Sequence, residues 1–212
     1  MAALFTWPVL APFLLAALAL NLTPGADMAY VTTRSLGQGR TGGIAAAFGV
    51  ALGCQIHGIV AALGLSIILR QSEIAFLIIK YVGATYLLYL AIKTLRQGVA
   101  ALNTERRPPL SFRRVLLEGC LTNLLNPKVA IFILAFLPQF TNPARGDVGL
   151  QIFILSVLFN CSGTSVNILL ALLTGSAGNF VTESRRFAEI MRWATASVFM
   201  ALALRLALQQ RH

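Results

Sequence analysis

Two short stretches set proline and asparagine into otherwise apolar runs, each beside one charge: Asn21-Leu22-Thr23-Pro24-Gly25-Ala26-Asp27 and Asn123-Leu124-Leu125-Asn126-Pro127-Lys128. Proline has no amide hydrogen and clashes with the preceding turn, so each stretch interrupts a helix. Thr23 can cap and Pro24 open a new half-helix in the first; Asn126 and Pro127 offer the same in the second. A half-helix start carries partial positive charge, and freed backbone is tolerated in lipid only where it is buried in protein or lines a wet cavity. Both breaks therefore point inward. Asp27 has two readings: a carboxylate that takes a cationic amino group, a proton, or both in alternation, or a partner for the helix dipole. Lys128 has two as well: an ammonium that holds a carboxylate or neutralises Asp27, or a side chain snorkelling to the surface, although about 20 Å of helix separates it from Arg114. With the two charges face to face, a zwitterion matches the pair. Asn21, Thr23, Pro24, Gly25, Asn126 and Pro127 then shape the binding region around Asp27 and Lys128.

Fewer residues elsewhere suit chemistry. His57 titrates near neutral pH when unperturbed and is either a proton relay or an interhelical hydrogen-bonding residue. Cys54 and His57 share a helix face at three-residue spacing, which is too few ligands for a metal site, and none is expected. Asn160, Ser162, Thr164, Ser165 and Asn167 either line a cavity or join helices. Gly49 and Gly53 form a small-xxx-small spacing that lets a neighbouring helix approach. Glu118 is expected to reach the interface or a partner. No phosphate-binding glycine loop or nucleophile elbow occurs, so neither ATP-driven nor hydrolytic chemistry is indicated, and no cofactor is expected.

The elements that must position these residues follow from composition. Of 212 residues, 57% are hydrophobic and 11% charged, and mean hydropathy is +0.77; a soluble domain carries roughly a quarter charged residues. Apolar stretches long enough to span a bilayer recur along the chain. They predict six transmembrane helices, near Trp7 to Arg34, Gly42 to Leu69, Glu73 to Thr94, Val115 to Leu137, Val148 to Thr174 and Ala188 to Leu208. No Lys or Arg precedes the first apolar stretch, so it reads as a retained helix and not a secretory signal.

The formal charge of +10 does not point to nucleic acid, because the basic residues are spread over short loops. Eleven (Arg34, Arg40, Lys93, Arg96, Arg106, Arg107, Arg113, Arg114, Arg185, Arg186 and Arg192) fall at odd-numbered loops, against four (Arg70, Arg145, Arg205 and Arg211) on the other side. This bias puts the odd loops in the cytoplasm and both termini outside. Cys54, Cys120 and Cys161 fall in or beside spans and read as small packing residues.

A basic loop from 95 to 114, with Pro108-Pro109 stopping any helix, divides the chain into three-span halves, 1–94 and 115–212, within a single transmembrane domain. Three is odd, so the copies must be inverted, an arrangement familiar in secondary transporters. Besides the matched breaks, Lys80-Tyr81-Val82-Gly83-Ala84-Thr85 echoes Arg192-Trp193-Ala194-Thr195-Ala196-Ser197, and Lys93 and Arg205 close these segments at equal spacing. The fold class expected is an all-α integral membrane protein: six transmembrane helices as two inverted three-helix repeats, with helices one and four broken near the midplane.

The stretch from Asn21 to Asp27, then Gly37-Gln38-Gly39-Arg40-Thr41-Gly42-Gly43, then Lys80 to Leu87, then Gly119 through Asn126-Pro127-Lys128 resembles the LysE/RhtB family of amino-acid exporters over nearly the whole chain. The resemblance implies an exporter of amino acids or close derivatives in the bacterial inner membrane, driven by the proton motive force. The family's Pro-Gly-Pro-Asp motif stands here as Pro24-Gly25-Ala26-Asp27, which keeps Asp27 in place but removes one restraint from the turn. The Asn-Pro-Lys motif is intact at Asn126, Pro127 and Lys128. The alternative is a metal-ion exporter of the same superfamily, which would want more carboxylates or thiols in its spans. An intramembrane enzyme would need a second deep acid beside Asp27, and a passive pore would not need two mirrored breaks. The partners expected are a small-molecule substrate and the lipid bilayer; a homo-oligomer is compatible with the chain.

Overall fold

The computed structural model describes residues 4–71, 73–96, 110–177 and 185–208. Most of the basic loop expected over 95–114, including Pro108-Pro109, lies outside them. Among the described residues there are seven α-helices and no strand: α1 (Trp7–Leu22), α2 (Ala26–Gln71), α3 (Glu73–Arg96), α4 (Phe112–Leu124), α5 (Pro127–Phe136), α6 (Val148–Ala177) and α7 (Arg185–Leu208). Short 3-10 turns at Leu137–Phe140 and Pro143–Arg145 lead from α5 to α6.

The expected breaks are both present. α1 stops at Leu22, with Thr23 extended (ψ 122°), the conformation that a following proline imposes. α4 stops at Leu124, α5 starts at Pro127, and the pair is bent by 55°. Where the sequence suggests a loop between Arg34 and Gly42, the helix instead runs on and reverses at one residue. Gly39 takes φ 69°, a conformation that costs a side chain dearly and glycine little. The two arms of α2 then lie together closely enough that a side chain at Gly43 would run into Ser35 Oγ.

Two apolar stretches, Ala26–Gly64 and Val148–Gly175, are long enough to cross a membrane, and the bent pair Phe112–Leu124 with Pro127–Phe140 makes a third if it is one span. Large apolar side chains also face outward, among them Ile74, Leu77, Ile78, Val82 and Tyr89 of α3. Lipid solvates such an exterior, whereas water would drive it to associate. The chain is a multi-pass, all-helical membrane protein.

Inside, two apolar clusters differ in character. The larger is aromatic: Phe13 and Phe140 meet edge-on at 5.4 Å, and Phe132 contacts Phe136 at 4.6 Å and Phe159 at 5.0 Å. The smaller is built on Ala45, Ala46, Ala47, Val31, Val50, Val115 and Ala171. Small residues let α2 and α4 touch backbone to backbone. A Cβ at Gly119 would stand 2.9 Å from Ala46 O and 3.2 Å from Gly49 Cα, so the Gly49 and Gly53 face meets a neighbour as expected. The second arm of α2 passes from one cluster to the other through Ala51, Leu52 and Gly53, and three further segments cross with buried or half-buried polar side chains. These are Asp27 between Leu20 and Val31, Asn123 and Asn126 between Val115 and Val129, and Asn160, Thr164 and Asn167 between Phe159 and Ala171.

Beyond the alanine cluster, the first arm of α2 is tied to α4 by charge. Arg34, only 4% exposed, donates from Nη2 to Glu118 Oε2 at 2.8 Å, and Arg114 Nε donates to Glu118 Oε1 at 3.1 Å. Tyr30 lies under the Arg34 guanidinium at 5.4 Å and donates its hydroxyl to Val115 O at 2.7 Å. Arg34 is the partner that Glu118 reaches.

Candidate functional site

The polar layer between the two clusters is where the breaks meet. Asp27 sits in the first turn of α2 and is 8% exposed. Its Oδ2 accepts from Asn123 Nδ2 at 2.9 Å and from Asn126 Nδ2 at 3.0 Å. Both donors come from the other break, Asn123 from the last turn of α4 and Asn126 from the joint. Asn126 also caps α5 as its type predicts, its Oδ1 accepting from Lys128 N at 3.0 Å. One carboxamide thus caps a helix with its oxygen and holds the acid with its nitrogen.

Lys128 returns the connection in the opposite direction. Its Nζ donates to Thr23 O at 2.9 Å and Leu20 O at 3.3 Å, carbonyls at the end of α1, of which Leu20 O also accepts from Thr23 N at 3.1 Å. A cation at a helix C-terminus also meets the negative end of its dipole. Gly25 permits the reach, since a Cβ there would stand 3.1 Å from Nζ. Asp27 and Lys128 are close enough to interact electrostatically but form no hydrogen-bonded pair. Each is held by neutral groups of the opposite break.

Thr23 behaves differently from Asn126. Its hydroxyl donates back to Ala19 O at 2.7 Å and leaves the first turn of α2 uncapped by a side chain, because α2 starts at Ala26 and the flanking position falls on Gly25. Ala26, where the resembling family has a second proline, simply begins the helix, and Ala29 N donates to Gly25 O at 3.0 Å. Pro24 and Pro127 are exposed at the two joints.

A small cavity of about 30 Å³ lies beside Asp27. Asp27, Asn21, Asn123, Asn160, Thr164 and Asn167 give it polar wall, and Val50, Cys54, Val129 and Phe159 give it apolar wall. Among the described residues, Asp27 is the one charged residue lining it. Asn21 Nδ2 donates to Ser162 Oγ at 2.8 Å and to Phe159 O at 3.3 Å, joining the end of α1 to α6. Gly163 makes room for it, for a Cβ there would lie 2.9 Å from Asn21 Oδ1. Asn160 Nδ2 donates to Ala51 O and Gln55 Oε1, both at 3.1 Å, so it lines the cavity and joins α6 to α2 at once. Lys128, Asn126 and Thr23 stand behind this wall. His57 also lies off the cavity, with Nε2 at 3.3 Å from Asn123 O; a carbonyl only accepts, so that nitrogen carries the proton.

Asn123 was read from the sequence only as part of the repeated stretch and not as a site residue. Its equivalence to Asn21 in that repeat was the available signal. Gly163 carried no signal, since its role is the space it leaves for a residue 142 positions away.

Comparison with known proteins agrees with this architecture. The chain is 29% identical over 195 residues to an uncharacterized membrane protein of Vibrio cholerae, covering 92% of this chain and 94% of that one. It is 27% identical over 196 residues to the membrane protein YrhP of Bacillus subtilis, covering 88% and 92%. The leucine efflux protein of Salmonella typhimurium matches at 29% over 203 residues, covering 93% and 94%. No solved structure matches. The family model for LysE type translocators matches residues 18–210, and the chain belongs to that family.

Proposed function

We propose that this chain is a secondary transporter that exports amino acids or close derivatives across the bacterial inner membrane, driven by the proton motive force. The observation that carries the reading is the polar layer: two broken helices hold each other's loose ends around one buried acid beside a cavity. A buried charge in an apolar bundle is expensive and marks a substrate or proton pathway. Asp27 takes either the ammonium of an amino acid or a proton, and this alternation couples export to the gradient. Relatives named for leucine efflux support an amino-acid cargo, and the apolar wall of Val50, Val129 and Phe159 suits an uncharged side chain.

In the membrane the helices make six spans: α1 with the first arm of α2, the second arm of α2, α3, α4 with α5, α6, and α7. The halves 1–94 and 115–212 are inverted copies within one transmembrane domain, the basic segment 95–114 and the Gly39 reversal face the cytoplasm, and both termini are periplasmic. Export of a metal ion has less support, since among the described residues no three His, Cys, Asp or Glu side chains gather.

The test is export from cells loaded with a panel of amino acids, with and without an uncoupler. Export of at least one amino acid that depends on the chain and collapses with the uncoupler is expected. Export that ignores the uncoupler would reject the proton coupling.

A further inference from the structure

Asp27 uses only one of its two carboxylate oxygens on protein donors. Oδ2 takes both carboxamides, while Oδ1 is buried and has no partner. Asn123 is in the same condition, 1% exposed, with its Nδ2 given to Asp27 and its Oδ1 buried without a donor. The orientation of Asn123 is forced: a carboxylate only accepts, so the nitrogen must face Asp27 and the oxygen must face away. Two buried acceptors, one from each half of the chain, therefore belong to neighbouring side chains on the wall of one cavity. Gly53 leaves the space beside the second, since a Cβ there would stand 3.2 Å from Asn123 Oδ1.

Leaving two such acceptors unanswered costs about 1–3 kcal/mol each, so their retention calls for a donor that arrives from elsewhere. A primary ammonium fits, with three N–H donors and no acceptor. A hydroxyl has one donor and cannot serve two acceptors; water has two but no charge to match that of Asp27; a metal ion would find one charge and no cluster of anionic ligands. Asn126, by contrast, has both ends of its carboxamide engaged, with its oxygen on Lys128 N and its nitrogen on Asp27. The two asparagines hold Asp27 alike but differ in what they leave free.

We propose that Asn123 is a specificity-determining ligand for the substrate ammonium, its Oδ1 accepting one N–H while Asp27 Oδ1 takes another, so that the site selects amines that carry at least two N–H donors when protonated. This rests on the amino-acid export reading and names the atoms that read the amino end.

The experiment uses the full chain in proteoliposomes and compares leucine with N-methyl- and N,N-dimethyl-leucine as competitors. In the wild type the first methyl group leaves two N–H donors for the two acceptors and the second leaves only one, so the dimethyl compound should compete at least about tenfold more weakly than leucine or its monomethyl derivative, the worth of a hydrogen bond to a charged group. Asn123→Val should raise the KM for leucine and shrink that methylation penalty to within about twofold. Asn123→Ser, which keeps a small acceptor, covers the case in which the valine variant fails to insert and should fall between. Asn126→Ala removes the same donation to Asp27, so it should raise KM while keeping the full methylation penalty. A penalty unchanged in Asn123→Val or Asn123→Ser would reduce Asn123 to a support for Asp27 and overturn the proposal. No export of any amino acid by the wild type would sink the functional reading itself, which is a separate result.

Discussion

The two breaks share a plan and end with opposite economies of their charge. At the first, Asp27 is held by one oxygen and keeps the other free on a cavity wall. At the second, Lys128 points its ammonium at the last carbonyls of α1 and does not line the cavity. The acid is available and the base is engaged. A pair of opposite charges at matched positions suggests an ion pair, yet the partners of each are neutral: carboxamide N–H groups for Asp27 and backbone carbonyls for Lys128. The base acts as a strap across the first break, and that strap sets where the acid stands.

The largest effect expected from breaking this contrast is at the acid. Asp27→Asn should insert normally but take export to background at every external pH, because the replacement can neither bind an ammonium by charge nor release a proton. Export that survives at wild-type level in a well-inserted Asp27→Asn protein would remove the acid from the mechanism.

Nearly as large is the effect of exchanging the charges. If the two residues were an ion pair, the double variant Asp27→Lys with Lys128→Asp would restore much of what each single change loses. The geometry argues against restoration. An aspartate at position 128 would face the carbonyls of Leu20 and Thr23, acceptors against an acceptor. We expect the double variant to export no better than either single one, measured as initial rates in proteoliposomes, and rescue above about a tenth of wild type would restore the ion-pair picture.

What the sequence could reveal here divides along local and tertiary lines. The breaks were legible because proline acts on its own helix, and the Asn126 cap was legible because capping is settled within three residues. The reversal at Gly39 was only half legible: glycines cluster there, but which one takes positive φ depends on how Ser35 and Gly43 pack. Glu118 reads from the sequence as reaching the interface or a partner, because alone it is a charge near a span end; that the partner is Arg34 depends on α2 and α4 lying side by side. Lys128 reads from the sequence as a holder of a carboxylate, a neutraliser of Asp27 or a snorkelling side chain, and its contact with the end of α1 is likewise tertiary. The carbonyls it uses belong to residues 108 and 105 positions away, and no spacing rule reaches that far.

A smaller and more discriminating effect is expected at the strap. Lys128→Met keeps most of the length of the side chain and removes the ammonium, leaving Thr23 O without that donor, at about 1–3 kcal/mol, while Leu20 O keeps Thr23 N. It should lower the unfolding temperature in detergent and reduce the maximal export rate while changing KM for the substrate little. A raised KM with unaltered stability would instead make Lys128 a substrate ligand.

The smallest effects compare the two joints themselves. Asn126→Ala removes a helix cap worth about 1 kcal/mol together with one donor to Asp27. Thr23→Val removes only a hydroxyl that donates back to its own helix, which nets about 0.5 kcal/mol. Both should fold, and thermal unfolding should rank Asn126→Ala clearly below Thr23→Val. The order matters because the proline motifs alone make the joints look equivalent. In the structure one joint is capped by a side chain that also holds the acid, and the other has Gly25 where the cap would be, open for Lys128 to pass. Equal destabilisation by the two changes would mean that Thr23 caps α2 after all and that the joints are symmetric in use as well as in plan.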